Sequence, residues 1–297
     1  MEQISNKKLA YKVSIITIIC NFLLMIFKFI AGILTHSIAT ISDAVHTGSD
    51  VLSTFVVMFG VKISNKKSDK NHEFGHERFE CVAAIILSIM LCATGLSIGY
   101  VGINKIITQN YGALTIGTLA LVSAVVSIVV KEAMYWYTIR AAKKINSSAL
   151  SADAWHHRSD ALSSVGSLVG VVGAMLGVPI LDAIASIVIC LFIVKASISI
   201  FVDAIRKMTD EACDEETENK IFNVIVKIDG VLKIDNLKTR KFGDKVFVEV
   251  DICANENLTL IDAHKIAENV EIETKNNFYF VKDCFVHVNP CKAKKET

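Results

Sequence analysis

Residues 38–63 read IATISDAVHTGSDVLSTFVVMFGVKI. A bilayer is crossed by about 20 predominantly apolar residues, and this run is long and apolar enough. Yet it carries His46 and Asp50, four residues apart. On a helix, positions i and i+4 share one face a turn apart, so an imidazole and a carboxylate point the same way. Ionisable side chains inside a membrane span are costly and usually functional. A second apolar run repeats the pattern: Asp153-Ala154-Trp155-His156-His157-Arg158-Ser159-Asp160 sets His156 and Asp160 four apart. One such pair can be a polar contact that steadies a helix. Two pairs in separate spans incur the burial cost twice. Facing each other, they offer two imidazole nitrogens and two carboxylate oxygens, a donor set suited to tetrahedral Zn²⁺.

The rest of the chain gives these runs their setting. Hydrophobic residues make up 52% and the mean hydropathy is +0.47, high for a soluble chain of this length. Apolar runs cover about 13–34, 38–63, 81–107, 114–137, 149–178 and 180–205. After Arg206 the sequence turns charged and mixed. The expected fold is an α-helical membrane protein: a six-transmembrane-helix bundle over 1–208, then a C-terminal cytoplasmic α+β domain over 209–297 that serves dimerisation and metal sensing. The first run is too long for a signal peptide, and no small-residue cleavage site follows it.

Basic residues alternate between links. Lys7, Lys8 and Lys12 precede the first run; Lys62, Lys66, Lys67, Lys70 and Arg78 follow the second. Arg140, Lys143 and Lys144 follow the fourth, Arg206 and Lys207 the sixth, and the other links hold only Lys105. Positive-inside logic places both termini of this multi-pass chain in the cytoplasm, and the expected location is the plasma membrane. The net charge of +1 gives no basic field for nucleic acid. The eight cysteines form no CxxC pair and read as reduced and mostly structural. Lys28, Lys131 and Lys195 read as interfacial lysines that snorkel.

Asp43 lies three before His46, and Asp153 three before His156. They read as groups that line the approach or back the ligands, with His157 and Arg158 as packing or gating groups. A site with no hydroxyl, sulfur or other nearby nucleophile points to transport rather than catalysis. Two bare carboxylates in a membrane are unfavourable; a divalent cation or protons neutralise them. Metal and protons therefore compete, which is the physical basis of antiport.

His72-Glu73-Phe74-Gly75-His76 matches HExxH, the zinc metalloprotease pattern when it lies on a helix. It falls in a polar link, and Gly75 weakens a helix there. An intramembrane metalloprotease is thus the remote alternative, and a metal-gated channel another. Asp69, His72 and His76 make a loop metal site the third reading of the stretch. In the tail, helices are expected over 214–227 and 258–275, and strands over 231–240, 245–252 and 278–288. Asp235, Asp251, His264 and His287 are its candidate ligands.

Over nearly its whole length the sequence resembles the cation diffusion facilitator family, and bacterial zinc/proton antiporters in particular. Ser37 to Asp50 looks like that family's second helix, with His46 and Asp50 on the two ligand positions. Asp153 to Asp160 looks like its fifth, with His156 and Asp160 on the other two. Asp69, Asn71-His72, Phe74-Gly75-His76 and Glu80 resemble its second-to-third-helix loop, where such antiporters hold a second metal. The resemblance implies a homodimer in the lipid bilayer, interlocked by Arg78 and Asp210, with a metallochaperone-like tail of αββαβ order. It also implies zinc as cargo and tail ligand. The sequence departs from the pattern: Asp235 and Asp251 stand where the best-known bacterial zinc members have histidines, and Asn289 where they have an aspartate. Manganese exporters of the family offer more oxygen, so the imidazoles favour zinc. Manganese and iron are the alternatives; cobalt and cadmium stay open.

Overall fold

The computed structural model describes residues 2–34, 38–108, 118–176, 178 and 180–292. Six long helices come first: α1 (Glu2–Leu34), α2 (Ile38–Ser64), α3 (Arg78–Thr108), α4 (Thr118–Ile145), α5 (Ser148–Met175) and α6 (Ile180–Met208). Ser37, the 35–36 link, the start of the fourth run at 114–117, and Pro179 lie outside the described residues. The chain divides into two compact units, Gln3–Ile205 and Arg206–Thr297.

Five helices are long and apolar enough to cross a membrane: α1, α2, α3, α4 and α6. Among the described residues α5 does not qualify, because its polar cluster dilutes its hydropathy. Its N-terminal half is instead deeply buried. Ala149, Leu150, Asp153, Ala154 and His157 of α5 are fully buried, and α5 packs on α2, α3 and α4. The flanking helices turn bulk outward: Phe22, Leu23 and Ile30 of α1 and Leu191, Phe192 and Ile198 of α6 are exposed. An apolar exterior of that extent suits lipid.

The α4–α5 link is a tight turn. Asn146 adopts φ 54° there, and Ser147 Oγ accepts from Leu150 N at 3.2 Å to cap the start of α5. Glycine sets how closely α2 and α3 pack. A Cβ on Gly60 would stand 2.5 Å from the Ala83 Cβ.

The second unit reads α7 (Glu215–Ile225), β1 (Lys233–Phe242), β2 (Lys245–Asn255), α8 (Leu260–Asn277) and β3 (Val281–Cys291). Asp214 caps α7 by accepting from Thr217 N at 2.9 Å. Thr259 caps α8 by accepting from Asp262 N at 3.2 Å. β1 and β2 form a hairpin whose turn uses Gly243 at φ 65°, a value most L-residues avoid. β3 then joins β2 in parallel, giving the order β1-β2-β3. Side chains alternate across a strand. Val246, Val248, Val250 and Ile252 of β2 therefore share a core with Ile221 and Ile225 of α7 and Val270 of α8. The opposite face carries Phe247, Glu249, Asp251 and Cys253.

The expectation of reduced cysteines is corrected here. Cys253 and Cys291 are joined as a disulfide. The register sets Cys291 opposite Asn255, one side-chain repeat along the same face from Cys253. Their Cα atoms are 5.7 Å apart, within bridging range. The other six cysteines are not in disulfides.

Candidate metal centres

The two HxxxD helices meet. His156 Nε2 lies 3.2 Å from Asp50 Oδ1 and 4.0 Å from Asp160 Oδ2. His46 Nε2 lies 4.0 Å from Asp160 Oδ1. His46, Asp50 and Asp160 each bring a ligand-type atom within 4.8 Å of the others. One site thus draws a nitrogen and an oxygen from α2 and the same from α5. Asp50 is 2% exposed, while the His46 side chain is 58% exposed.

His46 faces a cavity of about 520 Å³ lined also by Lys28, Asp43, Thr94, Ser97 and Ser127. These residues lie toward the end of α2 that bears Asp43. Toward the start of α5, one turn before His156, polar side chains are buried. Asp153 and His157 are wholly buried, 3.5 Å apart, and Thr54 Oγ1 donates to Asp153 Oδ1 at 3.1 Å. Asp43 pairs with Lys28 at 2.8 Å, and that lysine also donates to Thr47 Oγ1 at 3.0 Å. Arg158 lies over the Tyr135 ring, 4.3 Å from its centroid.

Sequence reasoning misplaced two lysines. Lys28 and Lys131 do not snorkel: they are 2% and 1% exposed. Lys131 Nζ donates to Asp50 Oδ2 at 2.6 Å and to Asp160 Oδ2 at 2.8 Å. The missed signal was helix length. Read as ending near Tyr137, the fourth span leaves Lys131 close to an interface. α4 runs on to Ile145, about 12 Å past Tyr137 and so about 20 Å past Lys131 along the axis. Lys195 is exposed, as a snorkelling lysine would be.

The α2–α3 loop holds a second cluster. Asp69 Oδ1 is 3.5 Å from His72 Nδ1, and Asp69 Oδ2 is 3.4 Å from His76 Nε2. The three residues bring ligand-type atoms within 4.8 Å of one another. A bridge pairs Asp69 with His72, and Gly75 at φ 97° turns the chain back, so HExxH is no helix. Lys66, bonded to Asp69 Oδ2 at 2.6 Å, together with the backbone N–H groups of His72 and Asn71, holds the Asp69 carboxyl well below the usual carboxylate range.

The four tail candidates do not converge within one chain. Asp251 pairs in register with His287 and accepts from Asn236 Nδ2 at 3.2 Å. Asp235 accepts from Lys233 at 2.8 Å and from Asn289 at 3.2 Å. Its sulfur neighbours are Cys253 and Cys291, which are joined in the disulfide and which sequence reasoning did not single out. His264 and His287 are exposed. Arg78 opens α3, and Asp210 follows α6 at φ 58°.

Buried acid–imidazole clusters inside an apolar helical bundle define a membrane carrier of cations. The comparisons narrow that class. Residues 14–209 match the cation efflux transmembrane domain, and residues 213–291 the cation efflux protein cytoplasmic domain. The chain belongs to the cation efflux family, the cation diffusion facilitators, and is a metal cation efflux transporter of the membrane rather than an enzyme. It is 34% identical over 279 residues to an uncharacterized transporter of Methanocaldococcus jannaschii, covering 93% of this chain and 96% of that one. It is 31% identical to the manganese efflux system protein MneP of Bacillus subtilis, covering 96% and 97%. It is also 31% identical to the magnetosome protein MamB of a Magnetospira strain, covering 90% of each. Among solved structures, the MamM CTD overlaps 26% of this chain and 98% of its own at 21% identity, with a TM-score of 0.26.

Proposed function

We propose that this chain exports Zn²⁺ from the cytoplasm across the plasma membrane in exchange for protons, working as a homodimer with both termini inside. The observation that carries the reading is the convergence of His46, Asp50, His156 and Asp160 from α2 and α5. Two imidazoles and two carboxylates suit a tetrahedral zinc ion as cargo. With the termini inside, the Asp43 end of α2 faces outward. The cavity is then an outward exit, and Asp153, His157 and Thr54 form the closed cytoplasmic side. In the cycle, zinc loads from the cytoplasm, the bundle rocks, protons displace the metal, and the protonated site returns.

The decisive test is flux in proteoliposomes for zinc, manganese, iron, cobalt and cadmium, with and without a proton gradient. The expected result is zinc flux that the gradient accelerates. Flux indifferent to the gradient would leave a channel, and a preference for another metal would replace zinc. A second reading, Mn²⁺, is favoured by the likeness to a protein named for manganese efflux. Ser127 and Ser163 hydroxyls line the same cavity, and hard oxygen donors suit manganese.

The unit that follows α6 is read as the dimerising and metal-sensing domain, with Arg78 and Asp210 as the interlock. Asp235, Asp251, His264 and His287 would need a second copy to complete a site. For the α2–α3 loop we expect Asp69→Ala or His76→Ala to remove one equivalent of zinc per chain, read by equilibrium dialysis, with transport-site binding kept. Asp69 has a depressed pKa, so its charge is present above the ordinary carboxylate range and lost only as pH falls through the depressed value.

A further inference from the structure

We propose that Lys131 is a tethered competitor for the transported cation. Its ammonium holds the carboxylate oxygens that the metal must take, so entry of metal displaces it and its return drives release. This rests on the assignment of Asp50 and Asp160 as transport ligands.

Each carboxylate divides its two oxygens in the same way. Asp50 turns Oδ1 to His156 and Oδ2 to Lys131. Asp160 turns Oδ1 toward His46 and Oδ2 to Lys131. The lysine therefore shares both carboxylates with the imidazoles, holding one oxygen of each. Zinc–carboxylate bonds are about 2.0–2.2 Å long. Metal bound to both carboxylates would press its charge against an ammonium only 2.6 and 2.8 Å from their oxygens. The ammonium must give way.

It has somewhere to go. Lys131 lines the cavity together with Ser127 and Ser159. Ser127 is one turn earlier on the same face of α4. Ser159 Oγ is buried and makes no hydrogen bond, which is unfavourable unless a donor reaches it in another state. A lysine stem is long and flexible enough to swing between such partners. The second buried lysine on this cavity cannot substitute, because Lys28 is tied to Asp43 and Thr47.

A purely structural bridge predicts the opposite sign on removal. The test measures Zn²⁺ and Mn²⁺ affinity of the purified full chain by chelator competition, and KM and kcat in vesicles, for wild type, K131Q and K131R. Loss of a competitor should tighten K131Q binding by about tenfold or more and lower KM, while slower release lowers kcat. The metal-induced rise in Tm should grow as well. K131R, which keeps a positive charge beside the carboxylates, should bind metal more weakly than K131Q. Unchanged or weaker binding by K131Q overturns the proposal.

Should K131Q not fold, Ser159→Ala decides. Losing the acceptor for the displaced ammonium should weaken metal binding without changing the metal-free Tm, and unchanged affinity overturns the proposal. A wild-type chain that binds no metal, or Asp160→Asn that binds like wild type, would fail the site assignment instead.

Discussion

Asp50→Ala and Asp160→Ala should each reduce metal flux in vesicles by at least about 100-fold. Loss of an outer partner of a metal ligand typically costs about 10–100-fold, and here a proposed direct donor is removed. Each substitution also strips one of the two carboxylates from Lys131, which is 1% exposed. Breaking a buried ion pair by removing one partner is destabilising by about 3–5 kcal/mol. Asp50→Asn and Asp160→Asn therefore accompany the alanines, since an amide still accepts a hydrogen bond. Flux is normalised to the monodisperse protein recovered from gel filtration. Unchanged flux in both alanine variants would sink the site assignment.

Gly60→Leu should have the second-largest effect, on the fold rather than on the chemistry. The virtual Cβ at Gly60 stands 2.5 Å from the Ala83 Cβ, and an alanine methyl has no rotamer into which to retreat. The α2 and α3 backbones must therefore separate. Overpacking of this kind costs about 1–3 kcal/mol, occasionally more. Because α2 carries His46 and Asp50, separation also shifts those two ligands against His156 and Asp160. A lower Tm in detergent together with weaker zinc binding is the expected pair of results. A Tm equal to wild type would mean that the helices are not held at this contact.

The spans and the pairing of the two HxxxD faces were legible because they rest on period and cost. An i, i+4 spacing needs only a helix, and a buried ion needs a reason. Lys131 was not legible, since a lone lysine in an apolar run looks the same whether it reaches for headgroups or for carboxylates. Only the end of α4 at Ile145 decides. The strand limits fell short for a similar reason. Asn289-Pro290-Cys291 reads as a breaker, but β3 is an edge strand, where a missing N–H is tolerated. The Cys253–Cys291 pairing depended on a register that spacing along the sequence does not encode. The HExxH match shows the reverse case: a motif present in the letters and absent as a helix, because Gly75 bends the chain.

The alternation along β2 and β3 has a consequence for how such a tail can change over time. Residues that hold the small domain together and residues that could greet a metal occupy opposite sides of the same strands. Val248, Val250 and Ile252 are locked by the helices above them, whereas Glu249 and Asp251 are not. Drift can therefore rewrite the proposed sensing side, exchanging imidazole for carboxylate or thiol, at little cost to folding. A tail of this build can be retuned to a new ion while the bundle continues to carry the old one.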